Sequence, residues 1–343
     1  MKLFSFFLQE YAIDLGTANT LIIQDGNVVV DEPSIVAINR RTGETIAVGK
    51  KAMQMHEKTH ENIKTVRPLK DGVIADFQAA ESMIKGMIEM IGSRRRLFSH
   101  LKMVVCIPSG ITEVEKRAVF DSADHVDSKE TYLIHEPMAA ALGIGLDVEE
   151  PIGNMIIDIG GGTTEIAVIA LSGIVCDQSI RIAGDEFTND IMSYMKRQHN
   201  ILIGERTAEK IKINVGSALH ELEDAPEDYA VNGRDLMTGI PKQIKISHGE
   251  IAHSLDKSIS KIEDAILKAL EATPPELASD IYRTGLYLTG GGALLRGLDK
   301  RIAQKTKLPV HIAEDPLRAV VRGTGIALKN TDRFSFLIDR KSV

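Results

Sequence analysis

Apolar positions near the start of the chain fall into three short runs, residues 11–14, 20–24 and 27–30, with Gly26 placed to turn the chain. Runs of this length bounded by Gly, Asn and Asp predict strands, and their spacing predicts hairpins. A further hairpin is expected from residues 34–39 and 45–48, joined by the polar stretch 40–44. Residues 50–69 are mostly polar and predict a short helix and a loop closed by Pro68. Residues 77–91 change to helical spacing (Phe77, Met83, Ile84, Met87, Ile88, Ile91) and stop at Gly92. Residues 102–107 predict a buried strand ended by Pro108. Thr112 and Glu115 have capping-box spacing. A strand at 132–135 then leads to a helix opened by Pro137 and running to residue 142.

After Pro151 the order restarts. Strands are expected at 155–159, 164–171 and 174–182, helices at 185–199 and 207–215, and a β-rich insertion at 229–246. Ser247 and Glu250 form a second capping box for a helix reaching residue 271, broken by Pro274 and Pro275. A strand at 285–288, a glycine run, a helix from Ala293, a strand at 310–313 and a helix at 316–327 close the pattern. The reading is α/β: two tandem lobes meeting near residues 146–153, each with a central mixed sheet and an insertion. A cleft between two such lobes is the expected ligand site.

The restart duplicates a particular device. AIDLGTANTLII at 12–23 and MIIDIGGGTTEIAVI at 155–169 each read as strand, aspartate, Gly/Thr tip and strand, about 144 residues apart. Glycine lets the backbone turn sharply and approach a ligand, and successive N–H groups in such a tip form an anion-binding nest. Thr17, Asn19, Thr20, Thr163 and Thr164 add donors. A carboxylate beside a phosphate makes sense with a divalent cation between them, which for Mg²⁺ is usually reached through water. Asp14 and Asp158 are therefore candidate metal ligands. Singly, each could be a hairpin Asp satisfying its own turn; together, and with the third run Thr289-Gly290-Gly291-Gly292, they point to a phosphorylated ligand. That third run offers a flat backbone and a helix N-terminus, and reads equally well as an ordinary loop.

With 343 residues, 43% hydrophobic and 26% charged, the chain can bury two sizeable cores. Its net charge of −7 argues against a nucleic-acid partner. Cys106 and Cys176, each in an apolar run, read as free buried thiols. No apolar run is long enough to span a bilayer, and the start lacks a secretory cleavage site. There is no G-x-x-x-x-G-K-[ST], no strand-borne G-x-G-x-x-G and no zinc spacing.

The blocks IDLGTANTL (13–21), RPLKDGVIAD (67–76), CIPSGIT (106–112), EPMAAA (136–141), DIGGGTTE (158–165), IAGDE (182–186), GERTAEKIK (204–212) and LTGGGA (288–293) resemble the MreB family of bacterial actin-like proteins, over about residues 11–330. The aspartate-bearing tips mark the wider superfamily of actin, chaperone and sugar-kinase ATPases; RPLKDGVIAD, CIPSGIT and GERTAEKIK are more specific. The resemblance implies two tandem RNase H-like lobes of the actin-like ATPase fold. Lobe I would comprise 11–147 and 315–343 with an insertion near 33–66, and lobe II 148–314 with an insertion near 184–246. It implies ATP and Mg²⁺ as cofactors, with Asp14 and Asp158 on the metal. Gly16, Thr17, Ala18 and Asn19 would form one phosphate loop and Gly160, Gly161, Gly162 and Thr163 the other. Glu209, Lys210, Ile211 and Lys212, with Gly290, Gly291, Gly292 and Ala293, would hold adenosine. Glu136 and Thr163 would orient the attacking water, a task of positioning and charge stabilisation. On the residues alone, Glu136 is a carboxylate near a helix start, favourable by a few tenths of a kcal/mol.

The family also implies filaments of the chain itself, a site on the inner face of the cell membrane, and service to the cell-wall elongation machinery that sets rod shape. In residues 1–11, Phe4, Phe7, Leu8 and Tyr11 share a helical face, to which Leu3 adds. This resembles an interfacial amphipathic helix, too short to be stable alone in water; the alternative is a strand packed on the core. Arg94, Arg95 and Arg96 precede Leu97 and Phe98, a second candidate membrane contact, with a solvated loop as its alternative. Weak contacts of this kind add up in a polymer. Two departures from the family pattern stand out: DHVDSKET at 124–131, and His135 where an acidic residue is common, read as facing the surface. The alternatives are a small-molecule kinase or other ATPase of the same superfold, and a plasmid-segregating actin relative.

Overall fold

The computed structural model describes residues 8–92, 100–126 and 128–340. These fall into two compact units. Unit 1 comprises Met1–Pro151, Ile169–Val175 and Leu317–Val343, and unit 2 comprises Ile152–Val168 and Cys176–Pro316.

Unit 1 opens with β1 (Leu8–Leu15), β2 (Asn19–Gln24) and β3 (Asn27–Pro33), an antiparallel meander with Asp25 and Gly26 at positive φ in its second turn. A small sheet follows, built from β4 (Val36–Asn39), β5 (Thr45–Val48) and β6 (Ile63–Val66), with α1 (Lys50–Met55) packed on it. Then come the two-residue strands β7 (Leu69–Lys70) and β8 (Val73–Ile74), α2 (Phe77–Met90), β9 (His100–Ile107), α3 (Glu113–Asp124), β10 (Ser128–His135) and α4 (Glu136–Gly143). The Thr112–Glu115 capping box forms as expected at the start of α3.

The plan repeats in unit 2 with β11 (Asn154–Ile159), β12 (Thr164–Ala170) and β13 (Gly173–Ile180), whose connecting residues 169–175 count with unit 1, then α5 (Gly184–His199), β14 (Ile201–Leu202), α6 (Glu205–Val215), β15 (Tyr229–Asp235) and β16 (Pro241–Ile246). The long α7 (His248–Ala272) starts at the expected Ser247–Glu250 capping box. After it lie α8 (Pro275–Thr284), β17 (Leu286–Thr289), α9 (Leu298–Thr306) and β18 (Val310–Ile312). The chain then returns to unit 1 with α10 (Ala319–Lys329) and β19 (Ile338–Arg340).

The larger sheets share one order. In unit 1 it is β3-β2-β1-β9-β10, with β19 added at the edge; in unit 2 it is β13-β12-β11-β17-β18. In both, the first strand pairs parallel with the fourth and the fourth with the fifth. Central strands buried on both faces read as continuous apolar runs, and every residue of β11 and β12 is buried. Gly143 of α4 and Gly323 of α10 allow these helices to touch backbone to backbone. A Cβ on Gly323 would lie 1.7 Å from the carbonyl oxygen of Ala139.

Several expectations are corrected. Residues 50–69 hold the strand β6 beyond the helix, and β7, β8 and β19 also went unread, because strands of two to four residues leave almost no periodicity. The run after Gly290 is a single 3₁₀ turn, Gly291–Leu294, and the next α-helix starts only at Leu298. The helical face proposed for the N-terminus does not reach Leu8 or Tyr11. Both are in β1, paired alongside β9, and Tyr11 is wholly buried in the core of unit 1. Leu3, Phe4, Phe7, Leu97 and Phe98 lie outside the described residues. Among those described, no helix is long and apolar enough to cross a membrane.

Candidate functional site

Asp14 sits near the C-terminal end of β1, beside the hairpin tip Gly16–Ala18. The adjacent parallel strands β9 and β10 bring Cys106 and Glu136 to the same end of the sheet, the end where α/β sheets bind ligands. Cys106 Sγ donates to Asp14 Oδ1 at 3.2 Å. Burial pushes the Asp14 carboxyl from 3.8 up to about 6, an effect the Cys106 hydrogen bond partly offsets. The Cys106 thiol is itself raised well above its ordinary value, first by burial and then by the charges of Asp14 and Glu136. Glu136 is buried at the first position of α4, ahead of Pro137. His135 is half-buried rather than surface-facing, and its Nδ1 has no hydrogen-bond partner among the described residues.

The tip of unit 1 is tightly held. A Cβ at Gly16 would lie 2.6 Å from the carbonyl oxygen of Asn19, so glycine is required there. Thr17 is buried, and its Oγ1 accepts from the Gly72 N–H at 2.9 Å. Gly72 turns the β7–β8 hairpin with Asp71, both at positive φ. An Asp-Gly pair is a strong hairpin signal, so this brace inside RPLKDGVIAD could have been read from the sequence. Ser34 bonds to Gly16, Ala18 and Thr20 and was also missed.

Unit 2 rebuilds the device. Asp158, buried near the end of β11, accepts from Thr289 Oγ1 of the parallel neighbour β17 at 2.7 Å. Each aspartate thus receives a side-chain donor from the fourth strand of its sheet. The Gly160 N–H donates to the Thr163 carbonyl at 2.9 Å, closing the tip. The carbonyls of Gly160 and Gly161 accept from the N–H groups of Gly184 and Asp185 at 3.1 and 2.8 Å, pinning the tip to the start of α5. Lys212 Nζ donates to the Gly184 carbonyl at 2.8 Å and pairs with Glu209 at 2.7 Å, so the α6 residues join the same cluster.

The remaining adenosine candidates divide by face. Glu209 and Lys212 are three apart and share one side of α6. Lys210 is exposed, whereas Ile211 is fully buried in the core of unit 2, so its side chain serves packing. Ala293 is likewise a core residue. A Cβ on Gly290 or Gly292 would strike Ile159 at 2.4 or 2.2 Å, so packing on β11 already demands those two glycines; Gly291 is the exposed member of the run. Of the two candidates for orienting water, Glu136 belongs to unit 1 and Thr163 to unit 2. Both cysteines are free. No group of three or more acidic, His or Cys side chains suited to a metal occurs among the described residues. One carboxylate at each tip matches the one or two that a Mg²⁺ carried on phosphates takes from a protein.

Comparison with known proteins places this architecture. The chain matches the MreB/Mbl protein family over residues 8–335. It is 44% identical over 328 residues to the cell shape-determining protein Mbl of Bacillus subtilis, covering 95% of this chain and 98% of that one. It is 47% identical over 331 residues to the cell shape-determining protein MreB of Escherichia coli, covering 95% of each. Among solved structures, MreB5 of Spiroplasma citri bound to ADP superposes with a TM-score of 0.89 at 42% identity, covering 95% of this chain and 97% of that one. A chain of the MamK double helical filament, at 20% identity and a TM-score of 0.78, covers 95% of this chain and 99% of its own and shares the fold. The two-lobed α/β architecture is thus the actin-like fold, and the chain belongs to the MreB/Mbl family.

Proposed function

We propose that this chain is a cell-shape determinant that binds ATP with Mg²⁺, hydrolyses it slowly, and assembles into filaments on the inner face of the cell membrane that organise wall synthesis. The observation that carries the nucleotide reading is the duplicated aspartate. Asp14 and Asp158 occupy equivalent strand ends, each with a side-chain donor from the fourth strand and a glycine tip alongside. At Asp14 the ionised carboxylate is disfavoured by burial, an electrostatic deficit that a cation relieves.

Gly16–Asn19 and Gly160–Thr163 would present N–H groups and hydroxyls to phosphates, and Glu209, Lys212 and Gly291 would seat the nucleoside. Glu136 and Thr163 would orient the attacking water. A bound Mg²⁺, held by Asp14 and Asp158, would supply charge neutralisation on the phosphates. Relatives named as cell shape-determining proteins, and MreB5 of Spiroplasma citri solved with ADP and with AMPPNP, support the reading.

The test is sedimentation of the full chain with Mg²⁺ and ATP, ADP or no nucleotide, with and without anionic liposomes. Polymer that pellets with ATP, and pellets more with liposomes, is expected. No sedimentable polymer under any nucleotide would remove the filament claim. Liposome binding unchanged by deletion of residues 1–7 would remove the N-terminal anchor.

A further inference from the structure

Ser34 stands outside every motif considered so far, yet it is fully buried against the first glycine tip. Its hydroxyl donates to the Gly16 carbonyl at 2.6 Å. A serine hydroxyl carries one proton, so Thr20 Oγ1, 2.9 Å away, is the donor to Ser34 Oγ. The Ser34 N–H donates to the Ala18 carbonyl at 2.9 Å. One residue thereby occupies two carbonyls of the tip and links them to Thr20 in a short chain of hydrogen bonds.

The consequence is directional. In a planar trans peptide, the carbonyl of one residue and the N–H of the next point opposite ways, and the described residues contain no cis peptide bond. Turning the carbonyls of Gly16 and Ala18 toward Ser34 turns the N–H groups of Thr17 and Asn19 away from it. The Thr17 hydroxyl already accepts from Gly72, which leaves its proton to donate elsewhere. Unit 2 reaches the same arrangement with different groups. Gly160, like Gly16, lies two residues after its aspartate, and its carbonyl accepts from the Gly184 N–H at 3.1 Å. A side-chain hydroxyl in one unit and a backbone amide in the other pin the equivalent carbonyl. Two unrelated solutions to one geometric problem mark that carbonyl's direction as the feature being held.

We propose that Ser34 is a positioning residue for phosphate binding, holding the Gly16 and Ala18 carbonyls so that the Thr17 and Asn19 amides face a phosphate. This rests on the nucleotide reading above. Once positioned, the tip presents its donors without reorganisation when an anion arrives. Because Ser34 leads directly into β4, the same bonds tie the tip to the root of the small inserted sheet.

The experiment compares wild type, Ser34→Ala and Thr20→Val by titration with adenosine, Mg-ADP and Mg-ATP, alongside unfolding of the nucleotide-free proteins. Ser34→Ala should weaken Mg-ADP and Mg-ATP roughly tenfold, the size of one lost buried hydrogen bond, and leave adenosine within about twofold. Thr20→Val keeps the Ser34–Gly16 bond and should show a smaller loss with the same selectivity. A purely structural role weakens adenosine and the phosphorylated ligands alike; that result, or unchanged affinity for all three, overturns the proposal. If Ser34→Ala does not fold, the selectivity of Thr20→Val decides in the same way. A wild type that binds adenosine but gains nothing from phosphates overturns this inference, and one that binds none of the three overturns the nucleotide reading with it.

Discussion

Asp14→Asn should make the nucleotide-free protein more stable at neutral pH. The Asp14 carboxyl titrates near 3.8 when unfolded and about 6 when folded, because burial disfavours its charge. The folded state therefore binds the proton more tightly, and the protonated side chain contributes stability that is complete below pH 3.8 and lost as the pH rises through about 6. The difference is about 2 pH units, and each unit is worth about 1.4 kcal/mol. Above pH 6 the ionised side chain thus costs about 3 kcal/mol. Asparagine keeps the shape and still accepts from Cys106, but cannot ionise. In a unit of this size, about 3 kcal/mol corresponds to roughly 6–12 °C in Tm. The assay is thermal unfolding of both proteins without nucleotide from pH 4 to 8, with hydrogen exchange at β1 and β9 to confine the effect to unit 1. The curves should nearly coincide near pH 4 and diverge with the variant above. Mg-ATP should then reverse the order, since wild type gains the binding term that the variant lacks. A variant equally or less stable at pH 7.5, or a difference that ignores pH, would show that burial does not penalise the Asp14 charge.

Glu136→Gln should preserve nucleotide affinity while lowering phosphate release about a hundredfold or more, the smaller end of what general-base or water-positioning groups contribute; unchanged single-turnover hydrolysis would reassign the role. Gly323→Ala puts a methyl 1.7 Å from the Ala139 carbonyl oxygen and should destabilise unit 1 by about 3 kcal/mol or more, read as a fall in Tm. A neutral result would mean that α4 and α10 slide apart freely. Ile211→Ala should cost about 2–5 kcal/mol through a cavity in the core of unit 2. It should leave the ATP-versus-GTP preference of the refolded protein unchanged, as a side chain that packs inward does not read the base.

The sheet plan was largely legible because long apolar runs survive on their own. β9, β11 and β12 are buried on both faces and announce themselves without tertiary help. Both capping boxes were legible for a local reason, since the donor and acceptor lie three residues apart. The two-residue strands β7 and β8 were not, although their Asp71-Gly72 turn was in plain view. The N-terminal reading erred at its inner end. Leu8 and Tyr11 have helical spacing with Phe4 and Phe7, but pairing alongside β9 draws them into the sheet, and a partner nearly a hundred residues away leaves no trace in a local window.

For the site, local sequence was enough to single out which residues could do chemistry: the aspartates at two strand ends, the glycine tips, and the repeat that relates them. Their types and spacings are local properties, and the duplication makes each tip evidence for the other. Folding set what each of those residues touches. It showed that Gly290 and Gly292 are demanded by Ile159, and that Ile211 faces the core while Lys212, paired with Glu209, reaches the Gly184 carbonyl. It set Cys106 against Asp14 and Thr289 against Asp158. It also revealed Ser34 behind the first tip. The divide is one of range. Turn chemistry and helix periodicity act within a few residues, whereas burial, steric exclusion and the direction of a carbonyl depend on groups that only folding brings together.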